Sequence, residues 1–290
     1  MQRIYTVAGL SFRLVTSSEN LPHHMIDAYT PFSESKERNE LLFDLQIIKG
    51  FTTKTGISPF IDINQDSERI TVFKNKDEYE FHFYLGQRPA PCGILKTKND
   101  FQTSTLIING EPHECSFAFN NGIMLLYAIT AAEKEALLIH ASVIKRNELG
   151  YLFLGKSGTG KSTHSRLWMK NLDGCELLND DNPVIRILNK KAIVFGSPWS
   201  GKTPCFKNKR APIGAFVELE QGPNNQIELL HSLSAYTTIM SSCSCAILRK
   251  ETAQSICNSV RDIIRMTKTF HMSCRPDREA ATMCAERITP

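Results

Sequence analysis

One stretch limits what this chain can fold into more than any other: Tyr151 to Asp181, YLFLGKSGTGKSTHSRLWMKNLDGCELLNDD. It opens with four apolar residues, Tyr151 to Leu154, which read as a buried strand. Gly155-Lys156-Ser157-Gly158-Thr159-Gly160-Lys161-Ser162 follows, a complete G-x-x-x-x-G-K-[ST] phosphate-binding loop. Its three glycines let the backbone curl tightly and turn N–H groups inward, and the next helix adds its positive N-terminal end. Lys161 is expected to reach the β- and γ-phosphates of a nucleotide such as ATP. The Ser162 hydroxyl is expected to ligate the Mg²⁺ that bridges them, with Thr163 as the last nucleotide-contacting residue.

The second half of the stretch supplies a partner. Glu176-Leu177-Leu178 reads as a short strand ending in Asn179-Asp180-Asp181. Two adjacent acids are costly to bury unless they meet a cation, and a metal–nucleotide centre is one. One carboxylate can sit near Mg²⁺, and the other can accept a proton from an attacking hydroxyl. Alone, Asp-Asp-Asn-Pro reads as a turn. Placed about 20 residues after a phosphate loop, it reads as the second acidic motif of such a fold.

The rest of the chain sets limits. At 290 residues it is one large domain or two modest ones, with 41% hydrophobic and 22% charged residues. Net charge is +4, from 34 basic and 30 acidic residues mixed along the sequence, which argues against a nucleic-acid partner. The longest strongly apolar run, Ile123 to Ile129, is far short of a membrane span, and the first residues carry no apolar signal region. Nine scattered cysteines, with Cys243 and Cys245 the one close pair, read as reduced thiols in a cytoplasmic protein without a zinc site.

We expect a β-rich N-terminal domain over 1–118 and a catalytic domain over 119–290. Ile4 to Val15, Arg69 to Phe73, Tyr79 to Leu85 and Ser104 to Ile108 read as strands, the last closed by an Asn109-Gly110 hairpin turn. His113-Glu114-Cys115 reads as a strand with a polar face. Asn120 to Glu135 reads as a helix. Leu137 to Ile144 reads as a buried strand turning back through Lys145–Gly150 into Tyr151–Leu154, so the strand that feeds the loop is a hairpin arm. That predicts an α+β fold with a mixed, largely antiparallel sheet, unlike the parallel sheets of Ras-like or Rossmann-like folds. Val184 to Leu188 and Ala192 to Phe195 read as a second hairpin, and Gln226 to Leu230 is expected to pair with Ile213 to Leu219. Helices are predicted from Ser232 or Ser234 to Met240, over Lys250 to Met266 and from Pro276 onward, with a strand at Thr269 to Cys274. His271 in that strand reads as a structural histidine.

Gly196-Ser197-Pro198-Trp199-Ser200-Gly201-Lys202-Thr203 is the other unusual segment. Its Trp199 could stack on a base or substrate, and its Lys202 could contact phosphate or an acidic substrate. The short basic run Lys207, Lys209, Arg210 reads as a solvated face.

A phosphate loop fed by a hairpin, His140-Ala141-Ser142 in the preceding strand, and Asn179-Asp180-Asp181 ending the next strand together resemble the catalytic core of HPr kinase/phosphorylase. That core is similar to the one in phosphoenolpyruvate carboxykinase. The chain most resembles bacterial HPr-kinase-like proteins with the Gly-Ser-Pro-Trp-Ser-Gly-Lys-Thr segment. The resemblance covers about 137–290 and is strongest over 138–207. It implies transfer of a phosphoryl group from Mg-ATP to a protein serine or small-molecule hydroxyl. Asp180 or Asp181 would be the base with His140 as its neighbour, Lys161 would hold phosphate, and Ser162 and Asp181 would attend the metal. It also implies a homo-oligomer. The alternatives are a carboxykinase-related small-metabolite kinase and a non-catalytic nucleotide-binding switch. The switch would keep Lys161 and Ser162 and could do without Asp180 and Asp181.

Overall fold

The computed structural model describes residues 2–16, 25–34, 40–50, 56, 58–65, 67–201, 203–244 and 248–289. Lys202 and Cys245 lie outside the described residues.

The chain divides into two compact units, Met1–Thr130 and Ala131–Pro290. The first holds a nine-stranded mixed sheet. Its strands are β1 (Gln2–Val7), β2 (Leu10–Thr16), β3 (Ser33–Glu34), β4 (Asp44–Lys49), β5 (Ile61–Gln65), β6 (Glu68–Asn75), β7 (Glu78–Leu85), β8 (Gly93–Lys98) and β9 (Thr103–Ile108). They lie in the order β3-β1-β2-β4-β9-β8-β7-β6-β5, parallel where β4 meets β2 and β9. Strand β7 is buried on both faces: Phe81, His82 and Phe83 are fully buried, and Tyr84 is nearly so.

Helix α1 (Pro112–Ala132) packs on this sheet. The Tyr127 hydroxyl donates to the Val7 carbonyl at 3.0 Å, and the Tyr127 and Phe12 rings meet edge to face. This corrects three sequence expectations. Asn109-Gly110 does not close a hairpin, because the chain enters α1 two residues later. His113, Glu114 and Cys115 lie in the first turns of that helix and not in a strand. The division between units falls after Thr130 instead of after residue 118, because α1 is the helix of the first sheet. By length and composition α1 could cross a membrane, but 67% of its apolar window is buried, as in a core helix.

The second unit is built on another nine-stranded mixed sheet. Its strands are β10 (Ala136–Leu138), β11 (Ala141–Arg146), β12 (Leu149–Leu154), β13 (Glu176–Asp181), β14 (Val184–Leu188), β15 (Lys191–Phe195), β16 (Arg210–Gln221), β17 (Gln226–Leu229) and β18 (Lys268–Cys274). The helices are α2 (Lys161–Asn171), α3 (Ser232–Ser242), α4 (Lys250–Met266) and α5 (Arg278–Ile288). The expected hairpins β11–β12 and β14–β15 are both present. Strand β12 is antiparallel to β11 on one side and parallel to β16 on the other. Strand β17 pairs with β18, some 40 residues downstream, and not with β16 as expected.

The sheet buries both faces. Leu152, Leu154 and Phe216 pack under α3 and α4, against Ile239, Ile256, Val260 and Ile263. Tyr151, Phe153 and Val217 face α2 and α5, against Trp168, Ala281 and Cys284. Each fully buried aliphatic on the α4 stripe contributes roughly 1.5–3 kcal/mol. The last helix starts where Asp277 caps it, accepting from the Ala280 N–H at 2.9 Å.

The expected single strand over 137–144 is two. Strand β10 pairs with β14, and β11 pairs with β13. The register Leu138↔Val184 and Ala141↔Asp181 keeps one offset across the break. Both partners therefore open at the same level, around His140 on one side and Asn182-Pro183 on the other. Pro183 cannot donate to a ladder, which is one reason the pairing stops there. The His140 N–H instead donates to the Ser242 carbonyl at 2.7 Å, at the end of α3.

Candidate functional site

The opened ladder and the end of β12 meet at one place. After Leu154 the chain turns through Gly155, whose φ of 137° suits glycine. A Cβ there would stand 2.7 Å from the Thr159 hydroxyl and 3.0 Å from the Leu219 carbonyl. Thr159 closes the loop on itself, its hydroxyl donating to the Lys156 carbonyl at 2.9 Å. Gly160, left-handed at φ 103°, hands the chain to α2, which begins at Lys161. The first N–H groups of that helix, including those of Ser162 and Thr163, have no intrahelical acceptor. They make the loop mouth a place for an anion.

The Lys161 ammonium lies across this mouth. It donates to the Gly155 carbonyl at 2.8 Å and the Lys156 carbonyl at 3.2 Å, and it meets His140 Nε2 at 2.9 Å. His140 Nδ1 in turn stands 3.0 Å from Asp181 Oδ1. An ammonium has no lone pair, so His140 Nε2 must accept from it. The ring proton then sits on Nδ1 and is donated to Asp181. Burial pulls the Lys161 ammonium below its usual range, while the Asp181 and Asp180 carboxylates draw it back up. The site is thus a chain of charge and hydrogen bonds, Asp181–His140–Lys161, tied to the loop backbone.

The end of β13 is fixed from inside. Asn182 Nδ2 donates to Asp181 Oδ2 at 2.8 Å, and the Asp181 N–H donates to Asn179 Oδ1 at 3.1 Å. The fully buried Asn179 also donates to Ser197 Oγ at 3.1 Å, and Ser197 Oγ donates to the Asn182 carbonyl at 2.6 Å. The Gly201 N–H donates to the Asp180 carbonyl at 2.8 Å. Asp180 itself is only 4% exposed, beside Lys161 and Cys205. The segment from Ser197 to Gly201 therefore clamps the end of β13 that carries the acidic pair. Trp199, expected as an open stacking face, is only 4% exposed, and its carbonyl accepts from the Asn182 N–H. Farther along, Lys207 and Lys209 both donate to Glu176, at 2.9 and 2.7 Å, and hold its carboxyl down at about 2. Lys207 therefore joins the clamp, where a solvated face was expected.

The donors present suit a hard cation. The Ser162 hydroxyl and the Asp180 and Asp181 carboxylates are oxygen ligands of the kind Mg²⁺ takes together with substrate phosphates and water. Among the described residues no group of three His, Cys, Asp or Glu side chains forms a closed metal cage.

Glu218, Glu220 and Gln221 carry no motif in the sequence, and His271 reads there only as a structural histidine. Glu218, Glu220, Gln221 and His271 line a cavity of about 650 Å³ against Gly155–Thr159. Gln221 Nε2 donates to the Gly158 carbonyl at 3.0 Å, bracing the loop tip. Glu218 Oε2 accepts from the Thr238 hydroxyl at 3.0 Å, and His271 pairs with Glu220 at 3.1 Å. The available signal was the acid-rich end of β16, Glu218-Leu219-Glu220-Gln221, beside the end of the loop-bearing strand.

No protein-family model matches the chain. A curated relative, endoglucanase G of Acetivibrio thermocellus, is 23% identical over 244 residues, covering 65% of this chain. The match spans 40% of that protein's length. Among solved structures, the Hpr(Ser) kinase/phosphatase from Coxiella burnetii matches 51% of this chain and 86% of its own. Its sequence identity is 12% and its TM-score 0.32.

Proposed function

We propose that this chain is a Mg-ATP-dependent phosphotransferase of the HPr-kinase-like type, acting on a protein serine or a small-molecule hydroxyl. The observation that carries this reading is the Asp181–His140–Lys161 chain, anchored on Gly155 and Lys156 of the glycine-rich loop. It joins a phosphate-seeking cation to a carboxylate through one oriented imidazole. The break before β11, the end of β13 and the N-terminus of α2 converge to make it.

In this reading the loop N–H groups and the start of α2 hold the phosphates. Lys161 exchanges its loop carbonyls for phosphate oxygens. Ser162 and the Asp pair hold Mg²⁺, which neutralises charge on the phosphate chain when bound. The Asp pair also takes the proton from the attacking hydroxyl, and the His140 Nδ1–H keeps Asp181 aimed. The clamp from Ser197 to Gly201 fixes these carboxylates, and positioning is most of what phosphoryl transfer asks of a protein.

The test is transfer of a γ-label from Mg-ATP in a native cell lysate, with Lys161→Ala as control and proteins and small molecules resolved separately. A labelled protein band lost in the variant identifies a protein kinase. Label in a small molecule identifies a metabolite kinase. ATP binding without transfer to either would overturn the enzyme reading in favour of a nucleotide-binding switch.

A further inference from the structure

A second cavity of about 650 Å³ adjoins the same loop. It shares Gly158, Thr159, Gly160 and Thr163 with the loop and α2. It then continues along α2 to Leu167, one turn beyond Thr163, and over Leu219 to Gly222-Pro223 and Cys274-Arg275-Pro276. Lys161, His140 and the Asp pair do not line it. A ligand whose anionic end lies in the loop therefore has a roomy continuation leading away from the reacting end.

The chemistry of this cavity changes along its length. At the loop it offers N–H groups and a helix start. Beyond them Leu167, Leu219, Pro223 and Pro276 give it apolar walls, with His164, Gln221 and Cys274 between them. At its outer end Arg275 is pinned by two carboxylates, Nε to Asp277 at 3.0 Å and an NH2 group to Glu279 at 2.9 Å. The Arg275 N–H also donates to Asn225 Oδ1 at 2.9 Å, so backbone and side chain are both fixed. A guanidinium with two carboxylates on its edge carries little net attraction for phosphate. What it offers is a rigid planar face, the feature that stacks on flat π-systems.

We propose that this cavity takes the nucleoside half of the nucleotide, with the base stacked on the Arg275 plane and the sugar against Leu167 and Pro223. Gln221 couples the two ends, because it lines the cavity and also braces the Gly158 carbonyl. The inference rests on the phosphotransferase reading and deepens it: Arg275 selects a nucleoside triphosphate over a bare polyphosphate.

Calorimetric binding of Mg-ATP and of Mg-tripolyphosphate to the full chain separates the two claims. The expected result is that ATP binds on the order of 10-fold or more tightly than tripolyphosphate, the scale of one stacked base. Arg275→Ala removes that advantage and leaves tripolyphosphate binding unchanged. Arg275→Lys, which keeps the charge and loses the plane, removes most of it too. Tripolyphosphate binding retained in both variants shows that they fold. If ATP and tripolyphosphate bind the wild-type chain equally, or if both Arg275 variants keep the ATP advantage, the nucleoside site is overturned while the phosphate loop stands. If neither ligand binds the wild-type chain, the phosphotransferase reading falls and the nucleoside site with it.

Discussion

Two loops of the second unit are written in similar letters. Gly155–Ser162 and Gly196–Thr203 both mix glycine with a lysine and a hydroxyl residue, and both follow a strand. The structure gives them opposite work. The first turns its backbone donors outward, at the start of α2, and presents Lys161 at a mouth shared with His140. The second turns its polar groups inward: Ser197, fully buried, ties Asn179 to Asn182, and Trp199 is packed away. Glycine and hydroxyl residues after a strand do not by themselves leave backbone groups open, as Ser197 shows; Lys202 lies outside the described residues. What decides is whether the backbone groups are left for a ligand or satisfied within the protein.

The sharpest way to break this comparison is to cut each loop at its centre. Lys161→Ala is expected to lower phosphoryl transfer on the order of 1,000-fold. Its stability should fall by about 1–3 kcal/mol in urea unfolding, because the ammonium bonds loop carbonyls and His140 and attracts the Asp180 and Asp181 carboxylates. Trp199→Ala is expected to act mainly on the fold, with about 3–5 kcal/mol of stability lost in urea unfolding. If Trp199→Ala is fully stable and loses only transfer, the clamp reading fails and the ring belongs to a substrate site.

A third test concerns the support beneath the first loop. His164, one turn into α2, is buried and accepts from the Trp168 indole N–H at 3.1 Å. Burial depresses its pKa from 6.5 to about 4. The unfolded chain therefore binds this proton first as pH falls, and stability present above about 6.5 is lost on the way down to about 4. The loss amounts to about 3 kcal/mol over that span. Urea titrations at pH 7 and pH 4.5 should show the slope in the wild-type chain and a much flatter one in His164→Gln. Equal slopes would place the pH dependence elsewhere.

How legible this was in the sequence depended on distance along the chain. The β11–β12 hairpin followed from an apolar run, a polar turn and a second apolar run, all within about 20 residues. The amphipathic stripe of α4 was equally local. The break at His140 was not visible, because LLIHASVI is continuous in hydrophobicity and the interruption comes from Pro183, across the sheet. Asn109-Gly110 was misread because the turn signal is local, whereas the helix it leads into is buried on most sides and shows little periodicity. The pairing of β17 with β18 and the cavity between α2, Pro223 and Arg275 both join segments separated by dozens of residues. No local pattern records such meetings. The acidic pair was interpretable only beside the loop, and the burial of Trp199 and the inward bonds of Ser197 depend on β13, which the Gly196–Thr203 letters do not record.

The central claim is that Asp181 works with Lys161 through His140. The most direct measurement is Asp181→Asn, compared with the wild-type chain for Mg-ATP affinity and for γ-phosphate transfer to the labelled acceptor found in lysate. We predict ATP affinity within a few-fold of wild type and transfer reduced by roughly 100- to 10,000-fold, the range for loss of a positioned acid–base group. An Asp181→Asn protein that binds ATP normally and transfers phosphate at the wild-type rate would contradict the account.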